Sequence, residues 1–185
     1  VIDEGGGAFY GPKIDVKIKD SLGRTWQCST IQCDFSLPER FDMNYVDADG
    51  NKTRPVMVHR ALLGSIERFF GVLVEHYGGA FPVWLAPTQA VVLSVGERHA
   101  HAAEALARRC KEQRLRVDAD TSGWKIGAKI RHHLWQEKIP LVAVLGDNEI
   151  DAGTVAVRSR KDGDLGTMTI EQFSEMLRKH ERERC

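Results

Sequence analysis

The segment Gly5-Gly6-Gly7-Ala8-Phe9-Tyr10-Gly11-Pro12-Lys13 sets a tyrosine and a lysine beside backbone that tolerates unusual conformations. Glycines with one lysine suggest phosphate binding. However, Pro12 precedes the lysine, no Ser or Thr follows it, and the chain then reads as a strand rather than a helix, so a P-loop is excluded. A turn and a small-molecule pocket lined by Tyr10 and Lys13 both stay open. Further on, Gln27, Ser29, Thr30 and Gln32 place polar groups on both parities of one apolar-flanked strand. Buried amides without partners cost about 1–3 kcal/mol each. Such a strand either offers them to a ligand or lies exposed at an edge. Cys28 and Cys33 are spaced too widely for a common zinc knuckle and read as core thiols. His59 alone makes no metal site. Arg68, beside Phe69-Phe70, needs an anion, and its planar fork suits phosphate as well as carboxylate.

Towards the C-terminus, Lys125, Lys129 and Arg131 surround one helix, and Arg158, Arg160 and Lys161 end a strand. Charge runs are usually solvated faces. With Trp124 nearby, they are also compatible with single-stranded RNA, whose bases stack on aromatic rings.

These residues must be positioned by two different kinds of element pattern. Residues 1–87 read as antiparallel hairpins. Ile14, Val16 and Ile18 alternate with charged residues, Thr25 to Phe35 returns as a second strand, and Asp49-Gly50 tips another hairpin. A helix over residues 60–77 follows, opened by His59 and apolar on most sides, hence expected to be buried. Gly64 and Gly71 on it predict close approach of another backbone or a ligand. Phe81 to Pro87, with two prolines, reads as a hinge. Residues 88–185 alternate strand and helix, which predicts a layered α/β domain. Thr169 and Gln172 are spaced as a capping box at the last helix.

The 185 residues are 42% hydrophobic and 28% charged, a globular composition. Lys plus Arg and Asp plus Glu are each 26, so any nucleic-acid contact must be local rather than driven by bulk charge. No apolar run is long enough to span a membrane. Four cysteines are too few for a disulfide scaffold and read as reduced thiols in a cytoplasmic protein. The chain starts at Val1, almost inside its first motif, which reads as part of a longer polypeptide.

Taken together, the segments resemble the threonyl-tRNA synthetase family of class II. The carrying residues are Gly7 to Asp15, Thr25 to Phe35 with Leu37-Pro38-Glu39-Arg40-Phe41, and His59-Arg60-Ala61-Leu62-Leu63-Gly64-Ser65-Ile66-Glu67-Arg68-Phe69, the third class II motif in its threonyl form. Phe81-Pro82, Trp84-Leu85-Ala86-Pro87 and Gln89 extend the likeness. The resemblance implies an α+β and α/β chain: the end of an antiparallel-sheet catalytic domain (1–87), then a small anticodon-binding domain with a mixed sheet (88–185). It implies that Arg68 holds ATP, with Gln27 and Thr30 on the ATP side. Tyr10 and Gln32 lie near the threonine amino group, Lys13 shares that pocket, and Ser65 lines it. His59 is one of three ligands of a zinc ion, the others lying upstream. Arg131, Glu149 and Arg158 meet the anticodon. The implied partners are ATP with Mg2+, L-threonine and tRNA(Thr), with a homodimer in the full-length enzyme. The chain by itself is expected to be inactive. Thr121-Ser122-Gly123-Trp124 departs from the charged or amide-rich stretch of the family. The alternative is a non-catalytic RNA-binding module derived from a synthetase.

Overall fold

A computed structural model describes residues 1–184, which form two compact units, Val1–Tyr77 and a second from Gly78 onward. In the first unit, β1 (Lys13–Lys19), β2 (Thr25–Asp34) and β5 (Met57–Ala61) make a three-stranded antiparallel sheet in the order β1-β2-β5. Between β2 and β5 come α1 (Ser36–Arg40) and a two-stranded hairpin of β3 (Tyr45–Val46) and β4 (Lys52–Thr53). Asp47 ties that hairpin by accepting from the Asp49 and Asn51 amides and the Thr53 hydroxyl.

The expected helix over 60–77 is shorter. It is α2 (Ile66–Tyr77), and His59 lies not at its start but within β5, whose backbone pairs with β2. Ser65 caps α2, its Oγ accepting from the Arg68 amide at 3.3 Å. Nor is α2 buried: Phe69, Val72 and Leu73 are half-buried, while Ile66 and Phe70 are exposed. The apolar band is wider than the surface the three-stranded sheet of this unit can cover. Of the two helix-associated glycines, Gly64 behaves as expected. A Cβ there would stand 2.7 Å from the Cys28 carbonyl oxygen, whereas Gly71 faces open space.

The second unit is a five-stranded mixed sheet in the order β10-β9-β8-β6-β7. Here β6 (Ala90–Ser94), β7 (Val117–Asp120) and β8 (Leu141–Leu145) are parallel, whereas β9 (Thr154–Ser159) and β10 (Gly163–Thr169) are antiparallel. One face is covered by α3 (Ala100–Glu112) and α6 (Ile170–Glu183). Val92, Val117, Ala143, Val157, Phe173 and Leu177 are fully buried between the layers. On the other face, Val91, Leu93 and Val142 meet Leu134. There α4 (Ile126–Arg131) continues into a π-helical turn, His132–Gln136. A short helix, α5 (Asp147–Ala152), follows β8. The capping box forms: the Gln172 amide donates to Thr169 Oγ1 and Gln172 Oε1 accepts from the Thr169 amide.

The proline segment belongs to the second unit and is not a free hinge. Arg116 donates to the carbonyls of Val83, Trp84 and Ala86, and Arg160 to those of Ala80, Phe81 and Lys138. Each guanidinium satisfies carbonyls that the prolines and the turn leave outside any ladder. The compact division thus falls at Tyr77/Gly78, ahead of the Pro87/Thr88 boundary read from the sequence.

Candidate functional site

The face of the first sheet is set by register. In an antiparallel ladder, directly paired residues share a face. Lys13 pairs with Gln32, and Gln32 with His59, so these three form one row across β1, β2 and β5. Asp15 and Thr30 form the next row. At Cys28 the register slips, so that Val16 pairs with Ser29 but Lys17 with Gln27. That bulge brings Gln27 onto the face of Thr30 and Gln32. It accounts for Gln27, which shares one face with Thr30 and Gln32, while Ser29 stays on the other, its hydroxyl donating to the Ala61 carbonyl at 2.9 Å.

Hydrogen bonds fix this face. The Tyr10 hydroxyl donates to Gln32 Oε1 at 3.0 Å, and Gln27 Nε2 donates to Asp15 Oδ1 at 2.7 Å. Lys13 Nζ lies 2.9 Å from Asp15 Oδ2. That contact holds the Lys13 ammonium above its usual pKa, with burial opposing, and the reciprocal hydrogen bond draws the Asp15 carboxyl below its own. Thr30 Oγ1 is buried beside its cross-strand partner Asp15 and helps to hold that carboxyl ionised.

The loop before β1 is pinned rather than flexible. The Cys33 amide donates to the Pro12 carbonyl and the Phe35 amide to that of Tyr10. Gly11 lies so close to β2 that a Cβ would sit 2.2 Å from the Cys33 carbonyl oxygen. Glycine there is a packing requirement that holds Tyr10 beside Gln32.

Asp34, which sequence reasoning left without a role, organises the other end. Its Oδ1 accepts from the Ser36 and Leu37 amides, and its Oδ2 lies 3.0 Å from His59 Nε2. The Leu37 amide above all, then His59 and Ser36, hold its carboxyl below the usual range against the opposing effect of burial. The legible signal was a carboxylate at the strand-to-helix junction. Tyr10, Gln32, Asp34 and His59 line an open hollow of about 390 Å³.

His59 fits a zinc site only as one ligand. Asp34 on Nε2 would orient the ring, as carboxylates do behind metal-bound imidazoles, leaving Nδ1 for a metal. Cys33 pairs with Val58, one residue off, and so faces the other side of the sheet. Cys28 is buried in the bulge. Among the described residues, no group of three ligating side chains gathers at His59.

Arg68 reaches the residues of this face at the backbone alone, its Nη1 donating to the Gln27 carbonyl at 3.5 Å. Its guanidinium lies over the Trp26 ring, 5.3 Å from the centroid, and lines a second hollow with Arg24, Glu67 and Gly71. Trp26 pairs with Ile18, on the opposite face from Lys17 and Gln27. The structure therefore gathers Tyr10, Lys13, Gln27, Thr30, Gln32 and His59 on one sheet face, whereas the Arg68 guanidinium rests on the Trp26 ring and reaches this group only at the Gln27 backbone carbonyl. Ser65 is a helix cap, its hydroxyl donating to Glu67 Oε2.

In the second unit, Arg131 is exposed at the end of α4, and among the described residues its guanidinium makes no ion pair. Glu149 turns back on its own helix, its Oε2 accepting from the Gly146 amide. Arg158, on β9, is exposed and lies 3.5 Å from Asp164. Among the described residues, no ion pair or hydrogen bond joins these three to one another. Two expected basic surface residues turn inward instead: Arg160, half-buried, clamps the entry segment, and Lys129 is fully buried. Each donates to backbone carbonyl oxygens.

Comparison with known proteins agrees with the division into two units. Residues 2–77 match the tRNA synthetase class II core domain (G, H, P, S and T), and residues 89–180 match an anticodon binding domain. The threonine--tRNA ligase of Clostridium acetobutylicum is 56% identical over 173 residues, which is 94% of this chain and 27% of that protein. The corresponding protein of Clostridium botulinum (strain Loch Maree / Type A3) is 54% identical over 177 residues, 96% of this chain and 28% of its own length. The chain thus spans little more than a quarter of these relatives. A solved structure of the RNA binding domain of threonyl-tRNA synthetase from Cryptosporidium parvum Iowa II superposes with a TM-score of 0.87 at 39% identity, covering 95% of this chain and 44% of that one.

Proposed function

The chain belongs to the class II aminoacyl-tRNA synthetases, as a core-domain segment followed by an anticodon-binding domain of the threonyl type, and we propose that it serves as the C-terminal part of a threonine–tRNA ligase. In such a ligase, threonine and ATP give threonyl-adenylate, and the acyl group then passes to the terminal ribose of tRNA(Thr). The observation that supports this reading is the single polar row Lys13–Gln32–His59, with Tyr10 hydrogen-bonded to its centre. A cation, an amide and an imidazole in line on rigid strands suit an amino acid carrying a carboxylate, an amine and a hydroxyl.

Within that reading, Tyr10 and Gln32 bind the threonine amino group, Lys13 offers charge to the reacting carboxyl and phosphate, and Gln27 and Thr30 meet ATP, which enters with Mg2+. The Thr30 hydroxyl lies on the same sheet face as Gln27 and Gln32. Arg68 would hold the ATP phosphates after leaving the Trp26 ring, a side-chain rotation that an anion of sufficient charge can drive. His59 supplies one ligand to a zinc ion whose remaining ligands come from elsewhere in the full-length protein. Coordination of the substrate hydroxyl would reject valine far better than an apolar pocket can. Arg131, Glu149 and Arg158 contact the anticodon. The complete enzyme is a cytoplasmic homodimer in this proposal. No described helix is long and apolar enough to cross a membrane.

The test is a chimera in which this chain replaces the matching segment of the Clostridium acetobutylicum relative. Threonine-dependent ATP–pyrophosphate exchange by the chimera, reduced at least a hundredfold by Arg68→Ala, is the expected result. A folded chimera without exchange would favour the RNA-binding module instead.

A further inference from the structure

The π-helical turn after α4 assembles a cluster that no role above uses. Neighbouring residues on a regular α-helix point about 100° apart, and residues five apart do not stack. Here the Glu137 amide donates to the His132 carbonyl at 3.0 Å, a hydrogen bond five residues long that brings Glu137 round over His132. Such single π turns recur at functional sites. The His132 and His133 rings come within 5.0 Å of each other, and one ligand atom from each of His132, His133 and Glu137 lies within 4.8 Å of the others.

The orientation of each ring is as informative as the distance. His132 turns Nε2 toward Glu137 Oε1 at 3.4 Å and Nδ1 toward Gln136 Oε1 at 2.7 Å. His133 turns Nδ1 toward Glu137 Oε2 at 2.6 Å and Nε2 toward Asp120 Oδ2 at 2.9 Å. Each imidazole therefore aims one nitrogen at the shared carboxylate and has its other nitrogen held by an oxygen acceptor. Metal-ligating histidines are held in this way, the outer acceptor fixing tautomer and ring angle. Donor atoms around a tetrahedral zinc, each about 2.0–2.2 Å from the metal, are themselves about 3.4 Å apart. The His132–Glu137 spacing of 3.4 Å matches that, whereas His133 Nδ1 and Glu137 Oε2, hydrogen-bonded at 2.6 Å, must move apart to admit the ion.

We propose that His132 Nε2, His133 Nδ1 and a Glu137 carboxylate oxygen form a binding site for a divalent transition-metal ion of the zinc class, with a fourth position open to solvent. The ligand set of two imidazoles and one carboxylate selects zinc, cobalt, nickel or copper over magnesium and calcium, which take oxygen ligands. Binding would fix the π turn and the Trp124 ring, which meets His132 edge-on at 5.5 Å. It would also add positive charge next to Arg131 in the chain. The site is independent of His59 and of the ligase reading.

The test is titration of the metal-free full chain with zinc against a chromophoric chelator at neutral pH, repeated with cobalt to read the ligand field by visible absorption. One zinc equivalent is expected in the unmutated chain and in His59→Ala. His132→Ala and Glu137→Gln should each weaken it at least tenfold and remove the tetrahedral cobalt bands. Both side chains are partly exposed, and their circular dichroism should match that of the unmutated chain. Three results would overturn the proposal: no saturable equivalent, an equivalent lost in His59→Ala, or a tenfold loss in neither or only one of the two variants.

Discussion

Lys129 Nζ lies 3.0 Å from the Asp120 carbonyl oxygen and 3.6 Å from the Asp120 carboxylate, with no part of the lysine side chain exposed. The same ammonium donates to the carbonyl and hydroxyl of Ser94. One cation on α4 thereby joins the C-terminal ends of the neighbouring parallel strands β6 and β7. Removing one partner of a buried pair strands the other, at about 3–5 kcal/mol. Lys129→Ala should therefore destabilise the second unit by that amount, measured by urea denaturation followed at its own tryptophans. A loss under about 1 kcal/mol would mean that water replaces the ammonium.

Asp120 should also make this unit acid-sensitive. Burial raises its pKa, but hydrogen bonds from Ser122 and His133 and the charge of Lys129 outweigh that and hold it at about 2. A carboxyl depressed in the folded state stabilises the fold above its unfolded pKa. That contribution is lost as pH falls through the folded value. About 2 kcal/mol should disappear between roughly pH 4 and pH 2. Asp120→Asn should be less stable at neutral pH, with a flatter acid limb. Parallel acid limbs in the two proteins would locate the sensitivity elsewhere.

The chain alone should form no threonyl-adenylate at a measurable rate. It covers little more than a quarter of its curated relatives, Arg68 rests on Trp26 away from the row of Lys13, and His59 has no companion ligands among the described residues. Robust threonine-dependent pyrophosphate exchange by the purified chain would refute this.

Gly11→Ala should loosen the loop that presents Tyr10. The added Cβ, 2.2 Å from the Cys33 carbonyl oxygen, cannot be accommodated without moving the loop off β2. Backbone strain of this kind costs about 1–3 kcal/mol. Hydrogen exchange at the Cys33 and Phe35 amides, which donate to Pro12 and Tyr10, should accelerate while the second unit stays unchanged. Protection of both amides in the variant would contradict the packing argument.

Arg158→Ala separates two kinds of anticodon contact. If Arg158 reads a base edge, the full chain should lose about 1–3 kcal/mol of affinity for the threonine anticodon stem-loop and less for a scrambled loop. If it meets only phosphate, both losses should be equal and the salt dependence shallower. Unchanged affinity for both loops would remove Arg158 from the interface.

The parallel core of the second unit was legible because its signals were local: apolar runs gave β6 and β8, and helical spacing gave α3 and α6. β10 was not, since Gly163, Asp164 and Gly166 carry no alternating pattern and its pairing depends on β9. The extent of α2 was misread because helix periodicity runs on through Leu62 and Leu63, whereas the backbone of 57–61 is claimed by the β2 ladder. The polar row of the first unit depended on a register that no residue type announces. The same is true of the burial of Lys129, whose charge suggested surface and whose partners are backbone carbonyls.

The bulge at Cys28 acts as a phase shifter in a period-two code. Positions before it are read out of step with those after it, so Gln27 belongs with Thr30 and Gln32, while Trp26 belongs with the reverse side. Straightening the strand would exchange the two, removing Gln27 from Asp15 and bringing the indole to the polar side. The Cys28 carbonyl projects to where a Cβ on Gly64 would stand, at 2.7 Å. Gly64 is thus the keeper of that phase. A single methyl group added outside the strand would press on the one residue that decides which way its neighbours look.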